Sequence, residues 1–199
     1  MKFAAQFLRS ITTLGEYPHW DRAEIALAGR SNVGKSSLLN ALTETHGLAR
    51  TSKTPGRTRA LNFFGLGERL ALVDLPGFGY AKMSRAEAAV ISNLMRDYLT
   101  RREMLAGLVL LIDARRGPGE EERALLAMSE NREALPPLAT VVAATKCDKL
   151  RRSERAAALQ RFAEHGIDPI LCSSESGEGL EQLRRRIIAI GQDYSRFPA

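Results

Sequence analysis

The chain has 199 residues, 44% hydrophobic and 26% charged, which is typical of one soluble α/β domain with a sizeable core. No apolar run approaches the roughly 18 residues of a membrane span, and the broken apolar run at the amino terminus predicts no signal peptide, so we expect a cytoplasmic protein. The formal net charge of +6 fits either an arginine-rich solvated surface or a surface that binds a polyanion such as a nucleotide or RNA.

Apolar runs bounded by Gly, Pro and Asp alternate with longer stretches of helical periodicity. The run "MLAGLVLLIDA" is almost continuously apolar, which is typical of a strand buried on both faces of a parallel sheet. In chain order we predict strand 24–29, helix 35–45, strands 59–67 and 68–76 joined by a hairpin turn, helix 84–102, strand 104–114, helix 119–131, strand 138–145, helix 153–165, strand 168–174 and helix 180–194.

This alternation predicts a mostly parallel six-stranded sheet with helices on both faces. No repeat, low-complexity tract or long linker divides the chain. We therefore expect one domain over residues 1–199, with a short amino-terminal extension over residues 1–22. Ligands of such folds bind beyond the carboxyl ends of the strands, so functional residues should directly follow the apolar runs.

The first such place carries the phosphate-loop motif G-x-x-x-x-G-K-S, between a predicted strand and a predicted helix. Its glycines allow backbone N–H groups to turn toward phosphate oxygens, and the amino end of the helix adds its positive dipole. The lysine is placed to reach the β- and γ-phosphates, and the serine hydroxyl to bind Mg²⁺. The predicted loop consists of Gly29, Arg30, Ser31, Asn32, Val33, Gly34, Lys35 and Ser36.

The second place is "LVDLPGFG", where Asp74 follows an apolar strand and begins a D-x-P-G sequence through Leu75, Pro76 and Gly77. A carboxylate here can hold Mg²⁺ through water, and the Gly77 N–H can meet the γ-phosphate. Asp-Leu-Pro-Gly is also a good turn sequence, but its place after the phosphate loop and a strand favours the functional interpretation.

The third place is "VVAATKCDKL", which puts Thr145, Lys146, Cys147 and Asp148 after another apolar strand. The Asp148 carboxylate can accept hydrogen bonds from the N1–H and N2–H₂ groups of guanine, a donor pair that adenine lacks. An exposed charged turn is the alternative interpretation. The last predicted strand ends in Cys172, Ser173 and Ser174, whose backbone N–H groups are placed for the guanine carbonyl.

Neither Cys147 nor Cys172 has metal-ligand or disulfide-framework spacing, so both are expected to be reduced thiols.

In this order the motifs resemble a GTP-binding P-loop domain of the translation-factor-related class. More narrowly, "GRSNVGKSSLLNAL", "LARTSKTPGRTRALNFF", "LVDLPGFGYAK" and "TKCDKL" closely resemble the EngB (YihA/YsxC) family of bacterial GTP-binding proteins, from about residue 24 to the last helix. The resemblance implies a G domain that uses GTP, GDP and Mg²⁺. It also implies a role in assembly of the large ribosomal subunit, with ribosomal RNA as a partner, and a requirement for normal cell division and septation.

The resemblance also places the Mg²⁺-binding threonine of "TSKTPGRTRA" at Thr58, with Thr54 and Thr51 as alternatives. The implied metal ligands are thus Ser36, Thr58 and Asp74. The backbone of this segment is expected near the phosphates and consists of Gly56, Arg57, Thr58, Arg59 and Ala60.

Hydrolysis is the open question, because Phe78 stands where many small GTPases carry a water-orienting glutamine directly after D-x-x-G. We expect Lys35 and Gly77 to act at the phosphates and intrinsic GTP hydrolysis to be slow. The alternatives are a nucleotide-stabilised scaffold without hydrolysis and a P-loop phosphotransferase or ATPase. Asn32 either helps to hold K⁺ beside the phosphates, as in related GTPases, or tolerates an unusual loop conformation.

The absence of a coiled-coil heptad favours a monomer.

Overall fold

The computed structural model describes residues 3–45, 47–49, 60–79 and 84–194. Its strands and helices alternate as the sequence predicts. In chain order they are β1 (Gln6–Ile11), β2 (Ala23–Gly29), α1 (Lys35–Thr43), β3 (Leu61–Leu66), β4 (Leu70–Asp74), α2 (Arg85–Arg101), β5 (Leu105–Asp113), α3 (Glu120–Glu130), β6 (Ala139–Thr145), α4 (Arg155–Ala163), β7 (Ile170–Leu171) and α5 (Leu180–Tyr194).

Within the described residues these strands form one seven-stranded sheet in the order β1-β3-β4-β2-β5-β6-β7. The pairs β1–β3 and β3–β4 are antiparallel, and all other neighbours are parallel. The prediction of six strands is therefore wrong by one. The additional strand is β1, an edge strand inside the predicted extension 1–22, and Ile11 is its one buried residue. Such a strand lacks a clear apolar alternation, because its pairing with β3 rather than its own pattern fixes its conformation.

The sheet has one hydrophobic core on each face, and β5 contributes to both because all of its residues are buried. Val109 and Leu111 pack in the cluster that contains the apolar residues of α1 and α5. Leu108 and Leu110 pack in the cluster that contains those of α2, α3 and α4. Alternation of side chains along a strand explains this division, and the near-continuous apolar run is its sequence signature.

Helix α2 begins at a reciprocal cap: the Glu87 N–H donates to the Ser84 hydroxyl at 3.2 Å, and the Ser84 N–H donates to the Glu87 carboxylate. Its second half is buried through Leu94, Met95, Tyr98 and Leu99. The apolar residues Ala86, Ala89 and Val90 at its start are exposed, with Val90 61% accessible. The helical period is therefore correct, but the apolar side faces the core only from Ile91 onward.

A buried ionic network joins β2 to α2 at the amino end of the sheet. Glu24 is fully buried and accepts hydrogen bonds from Trp20 Nε1 at 2.8 Å, Tyr98 Oη at 2.9 Å and Arg102 Nη2 at 2.5 Å. This network fixes the end of the sheet opposite the predicted site. In the part of the chain that the structure describes, no helix combines the length and the apolar character of a membrane span.

Candidate nucleotide site

The predicted phosphate loop connects the end of β2 to the start of α1, and its two glycines are required for different reasons. A Cβ on Gly29 would lie 2.8 Å from Val33 Cγ1 and 2.9 Å from the Leu111 carbonyl, so no side chain fits there. Gly34 has a φ of 104° and caps α1 in a left-handed conformation. Asn32 is also left-handed, with a φ of 61°, which asparagine tolerates better than most residues. The loop backbone thus has the shape that the motif predicts.

Two charged residues of the predicted phosphate and metal site meet at the ends of β2 and β4. Lys35 Nζ donates a hydrogen bond to Asp74 Oδ1, and the two residues are only 8% and 3% exposed. Lys35 is the first residue of α1, and Asp74 is the last residue of β4. The amine, the carboxylate and the amino end of a helix therefore occupy one place, where they can bind phosphate and a hydrated cation.

The residues after Asp74 run beside the phosphate loop. The Leu75 N–H donates to the Leu27 carbonyl at 3.0 Å, and the Ser31 N–H donates to the Phe78 carbonyl at 2.9 Å. These contacts continue the parallel β2–β4 pairing and keep Pro76 and Gly77 next to the loop. The Phe78 side chain is partly buried against the core on the α2 side of the sheet.

Two polar side chains of the loop have distinct environments. Among the described residues, the buried Ser31 hydroxyl has no hydrogen-bond partner. Buried hydroxyls are normally paired, so this orphan is consistent with a site built for a polar ligand. Arg30 instead pairs with Glu121 of α3 at 2.7 Å, so its guanidinium has a protein partner.

The start of the predicted base-reading segment is bonded directly to the phosphate loop. Thr145 Oγ1 donates to the Val33 carbonyl at 2.8 Å. Lys146 has a left-handed φ of 58°, and its Nζ donates to the Asn32 carbonyl at 2.6 Å and to Asp113 Oδ2 at 3.2 Å. The two loops therefore form one surface, although they lie far apart in sequence.

Asp148 lies in a short 3₁₀ helix, Cys147–Lys149. Its side chain is oriented by the segment 172–174, which follows the last strand. Its Oδ1 accepts a hydrogen bond from Ser173 Oγ at 2.7 Å, which is the main cause of a pKa lowered from the ordinary value of the carboxyl. The Ser173 hydroxyl in turn accepts the Glu175 N–H at 3.1 Å. The result is an ionised, fixed carboxylate that can accept two parallel N–H donors.

The two cysteines belong to the segments that carry Asp148 and Ser173. Both are free and fully buried, and the Cys147 N–H donates to the Cys172 carbonyl at 3.2 Å. Burial raises the pKa of the Cys147 thiol to about 11 and that of Cys172 to about 12. The thiols are therefore neutral at physiological pH.

The structure does not test every predicted residue. Gly56, Arg57, Thr58 and Arg59, with the alternatives Thr54 and Thr51, lie outside the described residues, whereas Ala60 directly precedes β3. Over the described ranges there is no cluster of three His, Cys, Asp or Glu side chains suited to a metal. The donors that are described fit Mg²⁺ bound mainly through phosphate and water, with one hydroxyl and one carboxylate.

Asp113 is the residue that the sequence interpretation missed. It ends β5 and contacts Lys146, so it lies at the same edge of the sheet as Asp74 and Thr145. The sequence contained an indication of this position, because Asp113 follows the longest apolar run of the chain. It belongs to none of the motifs by which the other residues were selected.

Comparison with known proteins identifies the family. The family model described as 50S ribosome-binding GTPase matches residues 24–146. The probable GTP-binding protein EngB of Anaeromyxobacter dehalogenans (strain 2CP-C) is 42% identical over 208 residues, covering 97% of this chain and 94% of the relative. That of Desulfatibacillum aliphaticivorans is 41% identical over 189 residues, covering 93% and 90%.

The crystal structure of a probable GTP-binding protein engB matches with a TM-score of 0.63 and 23% identity, over 86% of this chain and 100% of that chain. This likeness supports the fold, and the sequence relatives carry the assignment. The chain belongs to the EngB family of GTP-binding proteins.

Proposed function

We propose that this protein binds GTP and GDP with Mg²⁺, hydrolyses GTP slowly, and acts as a nucleotide-controlled switch in assembly of the large ribosomal subunit. The observation that carries the proposal is the joining of two half-sites. Lys35 and Asp74 form the phosphate half, and Asp148 with Ser173 forms the base half. The bonds of Thr145 and Lys146 to the phosphate loop hold the halves together.

The base half supports guanine over adenine. Asp148 is charged, and its Oδ1 is held by Ser173, so it can accept the N1–H and N2–H₂ donors of guanine. Adenine has no such donor pair and would leave the carboxylate without donors on the base, which costs affinity. We propose that the stem of Lys146 covers the base. Of the three backbone N–H groups expected at the guanine carbonyl, that of Cys172 donates instead to the Ala144 carbonyl at 2.8 Å and that of Ser173 to the Glu178 carbonyl at 3.0 Å. The Ser174 N–H is therefore the proposed partner of the base carbonyl.

The phosphate half supports a polyphosphate with a divalent cation. The backbone of residues 29–36 and the Lys35 amine would bind the phosphates. Ser36, Asp74 and Thr58 are the proposed residues for Mg²⁺, which neutralises phosphate charge when bound. Because Lys35 is bonded to Asp74, it has to leave that carboxylate to reach a phosphate. Nucleotide binding would therefore rearrange this pair.

Slow hydrolysis follows from Phe78. Its backbone is bonded to the phosphate loop, and its apolar side chain can neither polarise nor orient a water molecule. The proposed contributions of this chain are the Lys35 amine and the Gly77 N–H at the γ-phosphate. Stimulation by K⁺ through Asn32 stays a prediction, and the positive φ of Asn32 supports its conformational alternative.

The partner is proposed from the family and from charge. The matching family model is described as ribosome-binding, and the chain carries a net charge of +6. Arg151, Arg152, Arg185 and Arg186 are exposed and could meet RNA phosphates, which would make association fall steeply with salt. A cytoplasmic location and a monomeric state stay expectations from the sequence, and a need for the protein in cell division and septation stays an expectation from the family resemblance.

The test is single-turnover hydrolysis of GTP by the purified protein, with and without large ribosomal subunits, in K⁺ and in Na⁺ buffer. The proposal predicts slow release of phosphate by the protein alone and faster release with the particles. Co-sedimentation should be stronger with a non-hydrolysable GTP analogue than with GDP. Equal sedimentation in both nucleotide states would contradict the switch, and no phosphate release under any condition would favour the scaffold without hydrolysis.

A further inference from the structure

Asp113 has contacts that no motif accounts for. It is the last residue of β5, its exposure is only 9%, and its Oδ2 accepts a hydrogen bond from Lys146 Nζ at 3.2 Å. The same Nζ donates to the Asn32 carbonyl of the phosphate loop at 2.6 Å. One lysine amine thus links the end of β5 to the phosphate loop.

The other side of the carboxylate is anchored by Arg115. Arg115 donates from its backbone N–H at 3.1 Å and from Nε at 2.9 Å to Oδ1, and from Nη2 at 2.7 Å to Oδ2. Burial raises the pKa of the Asp113 carboxyl, but the hydrogen bonds from Arg115 and Lys146 outweigh it, so the pKa lies well below its ordinary value. Asp113 is therefore a fixed anion against which the Lys146 amine is held.

The position of the Lys146 stem depends on these bonds. Its backbone is left-handed, with a φ of 58°, a conformation that residues other than glycine rarely adopt. The Lys146 Cε lies 3.9 Å from where a Cβ on Gly34 would stand, so the stem passes over the phosphate-loop glycine. At its tip, the amine is held by the Asn32 carbonyl on one side and by Asp113 on the other.

From this geometry we infer that Asp113 is a positioning residue for nucleotide binding, because it holds Lys146 across the phosphate loop in the orientation that receives the guanine base. The inference rests on the proposed function, since it concerns the same site. Asp113 acts through Lys146 and makes no contact with the nucleotide itself. Loss of its charge would leave the amine held by the Asn32 carbonyl alone, with Lys146 and Arg115 near each other without the anion between them.

The predicted signature is a change in affinity without a change in chemistry. Asp113→Asn should weaken GDP and GTP binding by the same factor, about tenfold, because both nucleotides carry the same base. The single-turnover rate at saturating GTP should stay within about twofold of the wild type, because Lys146 is assigned to the base and not to the γ-phosphate.

The experiment is a double-mutant cycle on the full chain, with a fluorescent GDP analogue as the probe. Asp113→Asn is measured alone and combined with Lys146→Met, which keeps the apolar stem and removes the amine. If Asp113 acts through the amine, Asp113→Asn should have almost no further effect once Lys146→Met is present. The matched control is Asp97→Asn, because Asp97 is a half-buried carboxylate that pairs with Arg101 away from the site, and its loss should leave affinity unchanged.

An equal loss of affinity in the wild-type and Lys146→Met backgrounds would overturn the inference, as would an Asp113→Asn variant that binds normally. If Asp113→Asn fails to fold, Arg115→Gln replaces it in both backgrounds, because Arg115 is about half exposed and anchors the same carboxylate. For Arg115→Gln, a smaller loss of affinity that disappears in the Lys146→Met background supports the inference. An equal loss of affinity in both backgrounds, or no loss in either, overturns it. If the wild type itself does not bind the probe, the proposed function fails instead.

Discussion

The Lys35 amine is bonded to the Asp74 carboxylate, and both residues are buried where β2 and β4 end. The two side chains come from separate motifs and carry opposite charges that a nucleotide and its metal would otherwise neutralise. The pair satisfies both charges within the protein, since an isolated buried charge is costly. Binding of a polyphosphate therefore exchanges one ion pair for another.

Lys35→Met should both abolish nucleotide binding and destabilise the nucleotide-free protein. Removing the amine leaves the Asp74 carboxylate buried without its cation, which costs about 3 kcal/mol in such sites. Urea unfolding in EDTA measures this loss of free energy. The double variant Lys35→Met with Asp74→Leu should recover most of it because no charge is left unpaired. A single variant as stable as the wild type would show that the pair is not formed in solution.

The Phe78 side chain should be unimportant for the intrinsic reaction. Its backbone makes the contacts with the phosphate loop, and alanine retains them, so Phe78→Ala should change the single-turnover rate by no more than about twofold. Thermal stability should fall, because a partly buried ring is lost from the core. A drop in rate of more than about tenfold at saturating GTP would assign the ring a role in catalysis.

The buried cysteines should reduce stability at alkaline pH. Their pKa values in the folded protein, about 11 for Cys147 and about 12 for Cys172, lie above the ordinary value of 9.0. The folded state thus holds these protons more tightly than the unfolded state. The stabilisation of the folded state that comes from this tighter proton binding is fully present below pH 9. It is lost as the pH rises from 9 through 11 to 12.

Unfolding by urea at pH 8 and at pH 10.5 tests this, with Cys147→Ala/Cys172→Ala as the comparison. The double variant should lose less stability between the two pH values than the wild type. Iodoacetamide should also label the native protein much more slowly than the unfolded protein at pH 8. Equal labelling rates would show that the thiols are accessible.

Glu24 should be the strongest single polar determinant of stability at the amino end of the sheet. It is fully buried and pairs with Arg102, so Glu24→Ala should lower the free energy of unfolding by about 3 to 5 kcal/mol. The control is Glu133→Ala, which breaks an exposed ion pair with Arg101 and should cost no more than about 0.5 kcal/mol. Similar effects of the two substitutions on urea midpoints would contradict the difference in burial.

Local patterns predicted most elements and all three motif positions because each depends on residues close in sequence. The phosphate loop needs glycines at Gly29 and Gly34 for steric and conformational reasons that a short pattern records. The apolar run before each motif placed the side chains at one edge of the sheet.

Features that depend on distant partners were not predictable in the same way. Strand β1 exists because it pairs with β3, and its own sequence shows no clear alternation. The exposed start of α2, up to Val90, shows that a helical apolar period does not tell how much of the helix reaches the core. The contact of Asp113 with Lys146 joins two loops that are adjacent only in the folded sheet.

Recognition of the base by Asp148 is the most direct test of guanine-nucleotide binding by this protein. Displacement of a fluorescent GDP analogue is measured for the wild type and for Asp148→Asn, with GTP, ATP and XTP as competitors. In the wild type we expect GTP to compete and ATP not to compete. Asp148→Asn should lose guanine affinity and gain affinity for xanthine nucleotides, whose additional carbonyl matches an amide donor. Equal competition by ATP, or a variant that binds GDP unchanged, would contradict guanine recognition by Asp148.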